Sequence, residues 1–131
     1  MRELDAGDIT VARNDKIALE AVAEFDRVVL SPGPGIPLEA GIMPKLVEQY
    51  APIKPILGIC LGHQCIGEVF GGTLINLGFP IHGKATEIKV TDCNEPIFSG
   101  LPEHFSVGRY HSWVVSNENF PESLRITALD D

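Results

Sequence analysis

A cysteine flanked by glycines is the feature that most constrains how this chain can fold. Gly58, Cys60 and Gly62 follow the apolar pair Ile56 and Leu57. Small residues two positions to either side of a nucleophile are typical of an elbow, a sharp turn from a buried strand into a helix. Such a turn lifts the sulfur out of the sheet, and the helix N-terminus behind it favours the thiolate. Although most buried cysteines are plain core residues, the two glycines favour a nucleophile at Cys60.

A loop rich in proline and glycine follows a second strand pattern. The apolar residues 27–30 are typical of a buried parallel strand, and Ser-Pro-Gly-Pro-Gly-Ile-Pro follows at 31–37. Proline fixes φ and glycine frees it, so the loop has a defined path along which bare N–H groups can approach a ligand. Alone, the loop is equally well explained as a rigid connector. Because open α/β sheets bind ligands where neighbouring parallel strands end, we expect a site there.

The remaining pattern predicts an α/β fold in one domain, residues 1–131, with a parallel sheet followed by antiparallel additions. Helical spacing is present in the first half, and the second half has short apolar runs between turns. Helices are predicted at 17–25, at 39–50 and after the elbow as far as Gly71, and strands at 73–75, 87–91, 105–107, 113–115 and 124–128.

Composition limits the classes of function. A hydrophobic content of 44% suffices for a core, and no apolar run approaches the roughly 20 residues of a membrane span. The net charge of −8 argues against nucleic acid as a partner. Three cysteines without metal-ligand spacing predict reduced thiols, with Cys65 and Cys93 structural, and no metal. With no secretory signal pattern at the N-terminus, we expect a cytoplasmic protein.

Four motifs, in this order along the chain, resemble the class I glutamine amidotransferases. The cysteine motif is typical of the whole class, and the last two motifs are similar to those of the glutaminase subunits of anthranilate synthase and aminodeoxychorismate synthase. The resemblance implies a three-layer, flavodoxin-like fold with a mostly parallel sheet. The motifs are Ser31-Pro32-Gly33-Pro34-Gly35, Gly58-Ile59-Cys60-Leu61-Gly62-His63-Gln64, His82-Gly83-Lys84 and Arg109-Tyr110-His111-Ser112.

The resemblance also implies a role for each matched residue. Cys60 would attack the carboxamide of glutamine to form a thioester, and the N–H groups of Leu61 and Gly35 would form the oxyanion hole. The implied substrate-binding residues are Gly33, Pro34, Gly35, Leu61, Gln64, Ser112 and Trp113. The implied partner interface, which we expect in loops at strand ends, comprises His82, Gly83, Lys84, Arg109, Tyr110 and His111.

The activity implied by the resemblance is hydrolysis of glutamine and delivery of ammonia to a chorismate-using synthase subunit, without a cofactor in this chain. That partner would be component I of anthranilate synthase, in tryptophan biosynthesis, or component I of aminodeoxychorismate synthase, in folate biosynthesis. The motifs do not separate the two. A GMP synthetase or carbamoyl phosphate synthetase partner is less favoured.

The chain departs from the family pattern at both ends. Residues 1–4 are similar to the end of the family's first helix and residues 8–15 to its second strand, whereas the first strand has no match. The His-x-Glu that supplies the family's general base has no match either, since the chain's histidines are His63, His82, His104 and His111. We therefore expect an internal fragment without turnover. The alternative function is a non-catalytic remnant that keeps the glutamine pocket or the docking surface.

Overall fold

The protein is represented by a computed structural model that describes residues 6–130, so the helix end predicted at 1–4 lies outside the described residues. The described part of the chain divides into two compact units between residues 66 and 67, a point that lies within a helix. Among residues 6–130, no helix has the length and apolar character needed to cross a bilayer.

The first unit pairs two short strands in parallel. Strand β1 (Val28–Leu30) runs beside β2 (Ile56–Gly58), with Leu30 opposite Gly58. A two-turn 3-10 segment (Leu19–Glu24) precedes β1, and a one-turn 3-10 segment (Pro37–Glu39) and helix α1 (Met43–Tyr50) lie between β1 and β2. The strand predicted at 8–15 is wrong. These residues form an irregular segment ending in a turn, because no strand pairs with them within the described chain.

Helix α1 supplies much of the core of the first unit. Its buried side chains have the spacing of one helical face. Pro44 is tolerated in the first turn, because a backbone N–H there has no acceptor within the helix. The Tyr50 hydroxyl donates to the carbonyl of Leu19 at 3.0 Å, which ties α1 to the 3-10 segment before β1. The buried residues are Met43, Leu46, Val47 and Tyr50.

Helix α2 (Leu61–Val69) leads into the second unit, an antiparallel sheet. The described strands are ordered β4-β3-β5, with β3 at Leu74–Val90, β4 at His104–Val115 and β5 at Ala128–Asp130. A 3-10 turn at Pro96–Phe98 lies between β3 and β4. The strand predicted at 124–128 begins only at residue 128.

The short strands predicted at 73–75 and 87–91 belong to one long strand, as do those at 105–107 and 113–115. Gly78 and Gly83 have positive φ, 75° and 66°, and mark irregularities that the β4 ladder spans. Because a paired strand absorbs extra residues as bulges, these glycines bend β3 without ending it. The expected α/β class with parallel and antiparallel sheets is confirmed, and the antiparallel part is the larger one in the described residues.

Candidate active site

Cys60 occupies the turn between β2 and α2 in a backbone conformation that residues other than glycine rarely adopt. Its φ is 52°, in the left-handed region. A non-glycine residue held there is strained by roughly 1–3 kcal/mol and persists only where the surrounding structure imposes it, often at functional sites. The strand, turn and helix of an elbow are therefore present, with the thiol half-buried at the helix start.

Two glycines allow the chain to close so tightly around Cys60. A Cβ atom on Gly58 would lie 2.5 Å from the carbonyl carbon of Gly62, and one on Gly62 would lie 2.5 Å from both Cβ and O of Leu30. Any larger residue at either position would force the backbone apart. The spacing Gly-x-Cys-x-Gly is thus a steric requirement of the turn.

Backbone hydrogen bonds hold the turn in place. The N–H of Ile59 donates to O of Leu30 at 2.9 Å, which joins the turn to the end of β1. The N–H of Gln64 donates to O of Cys60 at 2.9 Å, so Cys60 caps α2. The N–H of Leu61 is one of the first-turn donors for which an α-helix offers no acceptor. The family resemblance implies that this N–H group is one of the oxyanion-hole donors.

The proline-glycine loop lies against the start of α2. A Cβ on Gly33 would come within 2.9 Å of Leu61 Cδ2, so only a residue without a side chain fits this approach undisturbed. Gly35 has a φ of 78°, and the Glu39 carboxylate lies 2.5 Å from where its Cβ would be. Gly33, Pro34 and Gly35 are all exposed. The structure thus brings the predicted loop and Leu61 together within the first unit.

The three cysteines lie in different environments: Cys60 at the start of α2, Cys65 within α2 and Cys93 in the loop after β3. Cys65 is fully enclosed, at 0% exposure, and Cys93 is exposed in a turn. Gln64, predicted to bind substrate, is one helical turn from Cys60 and only 6% exposed. Among residues 6–130, no group of three or more His, Cys, Asp or Glu side chains could hold a metal ion.

The prediction that the two partner-facing motifs form loops is wrong. Both motifs lie within paired strands of the second unit. His82 is opposite Tyr110, and Lys84 is opposite Arg109. The extra residue, Gly83, is taken up as a bulge in β3. The β3–β4 ladder runs through both motifs, so they are cross-strand neighbours rather than separate strand ends.

Exposure divides the residues of these two motifs. Tyr110 is 66% exposed, its ring edge-on to that of His82 at 6.2 Å, and His82, Gly83 and Lys84 are exposed as well. Arg109 is only 8% exposed. Its Nη1 lies 3.0 Å from Oδ2 of Asp130 in β5. Its guanidinium is therefore largely buried and forms an ion pair with a carboxylate that is 38% exposed.

Further along β4, polar groups turn inward. Arg109 Nε donates to Nε2 of His111 at 3.3 Å, while Nδ1 of His111 is buried without a hydrogen-bond partner in the described structure. Ser112 and Trp113 follow, both half-buried, with Trp113 opposite Asn76. Sequence reasoning missed Asp130, because nothing in the local pattern connects it to Arg109.

The elbow, the glycine loop and the mixed α/β architecture are those of a glutamine amidotransferase, and the comparisons agree. The family model for class-I glutamine amidotransferase matches residues 1–131, so the chain belongs to that family. Anthranilate synthase component 2 of Pseudomonas aeruginosa is 42% identical over 123 residues, 92% of this chain and 60% of that protein. The component 2 of Porphyra purpurea is 40% identical over 126 residues, 95% of this chain and 66% of that protein.

Solved structures give the same fold. A protein described as part of a GMP synthase in Thermoplasma acidophilum superposes with a TM-score of 0.80 at 31% identity, over 97% of this chain and 62% of that one. A glutamine amidotransferase of Thermotoga maritima has a TM-score of 0.74 at 20% identity, over 88% of this chain and 52% of that one, and shows the fold alone. The sequence-based resemblance to the family is confirmed, and the chain spans about 60% of the length of these relatives.

Proposed function

We propose that this chain is the glutaminase part of a synthase that makes anthranilate from chorismate, in tryptophan biosynthesis. The observation that carries the proposal is the left-handed turn at Cys60, at the start of α2. The similarity to proteins named anthranilate synthase component 2 supports the choice of branch. Aminodeoxychorismate synthesis, in the folate branch, is the neighbouring alternative.

The chemistry would be acyl transfer from an amide. Sγ of Cys60 attacks the side-chain carbonyl carbon of glutamine, and the C–N bond breaks as the proton given up by the thiol passes to the departing ammonia; water then hydrolyses the resulting thioester to glutamate and the free thiol. The N–H groups of Leu61 and Gly35 stabilise the oxyanion, and one such donor is worth about 3–4 kcal/mol. Because this sequence of steps needs only a nucleophile, fixed donors and proton transfer, the chain requires no cofactor.

Substrate binding would use Gln64 on α2 and Ser112 and Trp113 on β4, as the resemblance implies. The low exposure of Gln64 supports a fixed side chain at that position. A subunit that keeps these contacts but lacks turnover is the second candidate.

Delivery of ammonia would require a partner that covers the site, because ammonia released into water is diluted and protonated. We place the docking surface on the exposed part of the two paired motifs, which we call the hairpin face: His82, Gly83, Lys84 and Tyr110. Tyrosine is enriched at interface centres, and the exposure of Tyr110 beside His82 supports this role. The partner is the chorismate-using component I.

The proposal is tested with the complete gene product that contains these residues, purified with its synthase subunit. Anthranilate formation is measured from chorismate with glutamine and, separately, with ammonium salts. Cys60→Ser should abolish the glutamine-dependent reaction and leave the ammonium-dependent reaction intact, because only ammonia generation needs the sulfur. Cys93→Ala, which removes an exposed thiol, and Cys65→Ala are the controls and should retain most activity. Glutamine-dependent synthesis at the wild-type rate in Cys60→Ser would refute the assignment.

A further inference from the structure

We infer that Asp130, Arg109 and His111 form a side-chain relay that positions the β4 backbone at Ser112 and Trp113. The inference rests on the proposed function, in which Ser112 and Trp113 hold the backbone end of glutamine. It makes Asp130 and Arg109 positioning residues of the substrate site, and it replaces the partner contact that the sequence motif implied for Arg109.

The first step of the relay is the ion pair. The Arg109 side chain is only 10% exposed, so its charge has little contact with water, and Nη1 lies 3.0 Å from Asp130 Oδ2. Removing a charge from water is unfavourable unless a partner of opposite charge accepts its hydrogen bonds. Lys84, the cross-strand neighbour of Arg109, carries the same sign, whereas Asp130 supplies a compensating negative charge.

The second step is the hydrogen bond from Arg109 Nε to His111 Nε2 at 3.3 Å. Because an arginine can only donate, Nε2 must be the acceptor and the imidazole proton must lie on Nδ1. That Nδ1 is buried without a hydrogen-bond partner among the described residues. The orientation of the ring therefore depends on Arg109, whose rigid planar guanidinium is in turn held by Asp130.

The third step is the location of His111 in the sheet. His111 is opposite Ile81 and Trp113 is opposite Asn76, so residues 77–80 of β3 form an irregularity facing Ser112. A second irregularity, at Gly83, lies between the His82 and Lys84 pairs. The regular ladder that normally fixes a strand is thus interrupted on both sides of His111. Side-chain contacts add restraint there, which matters because a slip of one residue would turn Ser112 to the other face.

The ion pair also reaches across the whole sheet. Asp130 pairs in register with Ile88 of β3, and Arg109 pairs with Lys84 of the same strand. The guanidinium therefore connects β4 to β5 over β3. Substitution of any of the three relay residues should loosen β4 at the same place, the backbone next to His111.

The test measures glutamine kinetics in the complete gene product with its synthase subunit. Arg109→Leu, Asp130→Asn and His111→Leu should raise KM for glutamine by roughly tenfold or more, as small displacements of positioning groups do. Because the lost contacts hold the non-reacting end of the substrate, kcat should change less than KM. Ammonium-dependent synthesis and the affinity between the two proteins should stay at wild-type values.

Two matched variants separate positioning from mere stability. His111→Gln keeps an acceptor oxygen near the position of Nε2 and should restore KM to within a fewfold of wild type, whereas His111→Leu should not. Arg125→Leu removes an exposed arginine of the same unit that is also held by two carboxylates, Asp92 at 2.9 Å and Glu95 at 3.3 Å. Since it lies outside the relay, it should leave KM unchanged.

The relay is overturned if His111→Leu and His111→Gln show the same KM, a comparison that stands even if Arg109→Leu fails to fold. It is also overturned if Arg109→Leu weakens binding to the synthase partner at an unchanged KM, which would make Arg109 a partner contact. Failure of the proposed function is a different result, namely glutamine-dependent synthesis that survives Cys60→Ser.

Discussion

Substitution of Gly62 by alanine tests the steric account of the cysteine turn most directly. The new Cβ would lie 2.5 Å from both Cβ and O of Leu30 and 3.0 Å from its carbonyl carbon. Ordinary contacts between such atoms begin near 3.4 Å, so the overlap is close to 1 Å, and two of the three atoms belong to the backbone. A flexible side chain cannot relieve this clash, and either β1 or α2 must move.

The expected magnitude follows from two opposing effects. Overpacking of this kind costs about 1–3 kcal/mol, and the rigid neighbours here favour the upper end. Alanine in a helix is better than glycine by about 1 kcal/mol, which offsets part of the loss. A net destabilisation of about 2 kcal/mol remains. If the 131 residues unfold together, the melting temperature should fall by roughly 7 °C.

The assay is thermal and urea unfolding of the 131-residue chain, followed by circular dichroism. Gly71→Ala is the control, because Gly71 has a φ of 94° with no atom within 4 Å of its Cβ position. The loss of stability in Gly71→Ala measures backbone strain without a clash, about 1–2 kcal/mol. Because Gly62 has no positive φ, the loss in Gly62→Ala measures the clash itself. Unchanged stability of Gly62→Ala would mean that the turn does not close against β1, and the steric argument for the motif would be wrong.

Three further predictions follow from the site and the hairpin face. A glutamine-like affinity label should alkylate Cys60 and spare Cys93, although Cys93 is the more exposed thiol. Added glutamine should protect Cys60 from the label. Equal labelling of the two cysteines, measured by peptide mass spectrometry, would contradict this prediction. The 131-residue chain should release no ammonia from glutamine above background in a coupled glutamate dehydrogenase assay, because no residue matches the family's base; turnover near that of an intact glutaminase would show that another residue replaces it. Lys84→Glu with Tyr110→Ala should weaken binding to the synthase partner by about 2 kcal/mol or more in calorimetry, while glutamine binding stays unchanged; the exposed control Lys16→Glu should bind normally, and unaffected binding of the double variant would place the docking surface elsewhere.

Local sterics made the cysteine turn and helix α1 predictable from sequence. A Cβ on Gly58 would meet Gly62, so this part of the constraint lies within the five residues of the Gly-x-Cys-x-Gly pattern, whereas Gly62 is constrained by Leu30 of β1. The apolar spacing of α1 is likewise an internal property of one helix. Strand limits were less predictable, because a strand exists only where a partner pairs with it. Residues 8–15 have no such partner in the described structure, and Gly83 became a bulge because β4 continues beside it.

The sequence by itself therefore determined the family and the tight turn at Cys60, because glycine and proline restrict the backbone where they stand. Only the tertiary structure decided which side of the Arg-Tyr-His-Ser motif faces outward. Alternation along β4 exposes Tyr110 and buries Arg109, and a buried guanidinium must find a carboxylate. Asp130 supplies the carboxylate that pairs with Arg109, and it belongs to a strand whose position depends on the register of the whole sheet. No local pattern in the sequence encodes that pairing.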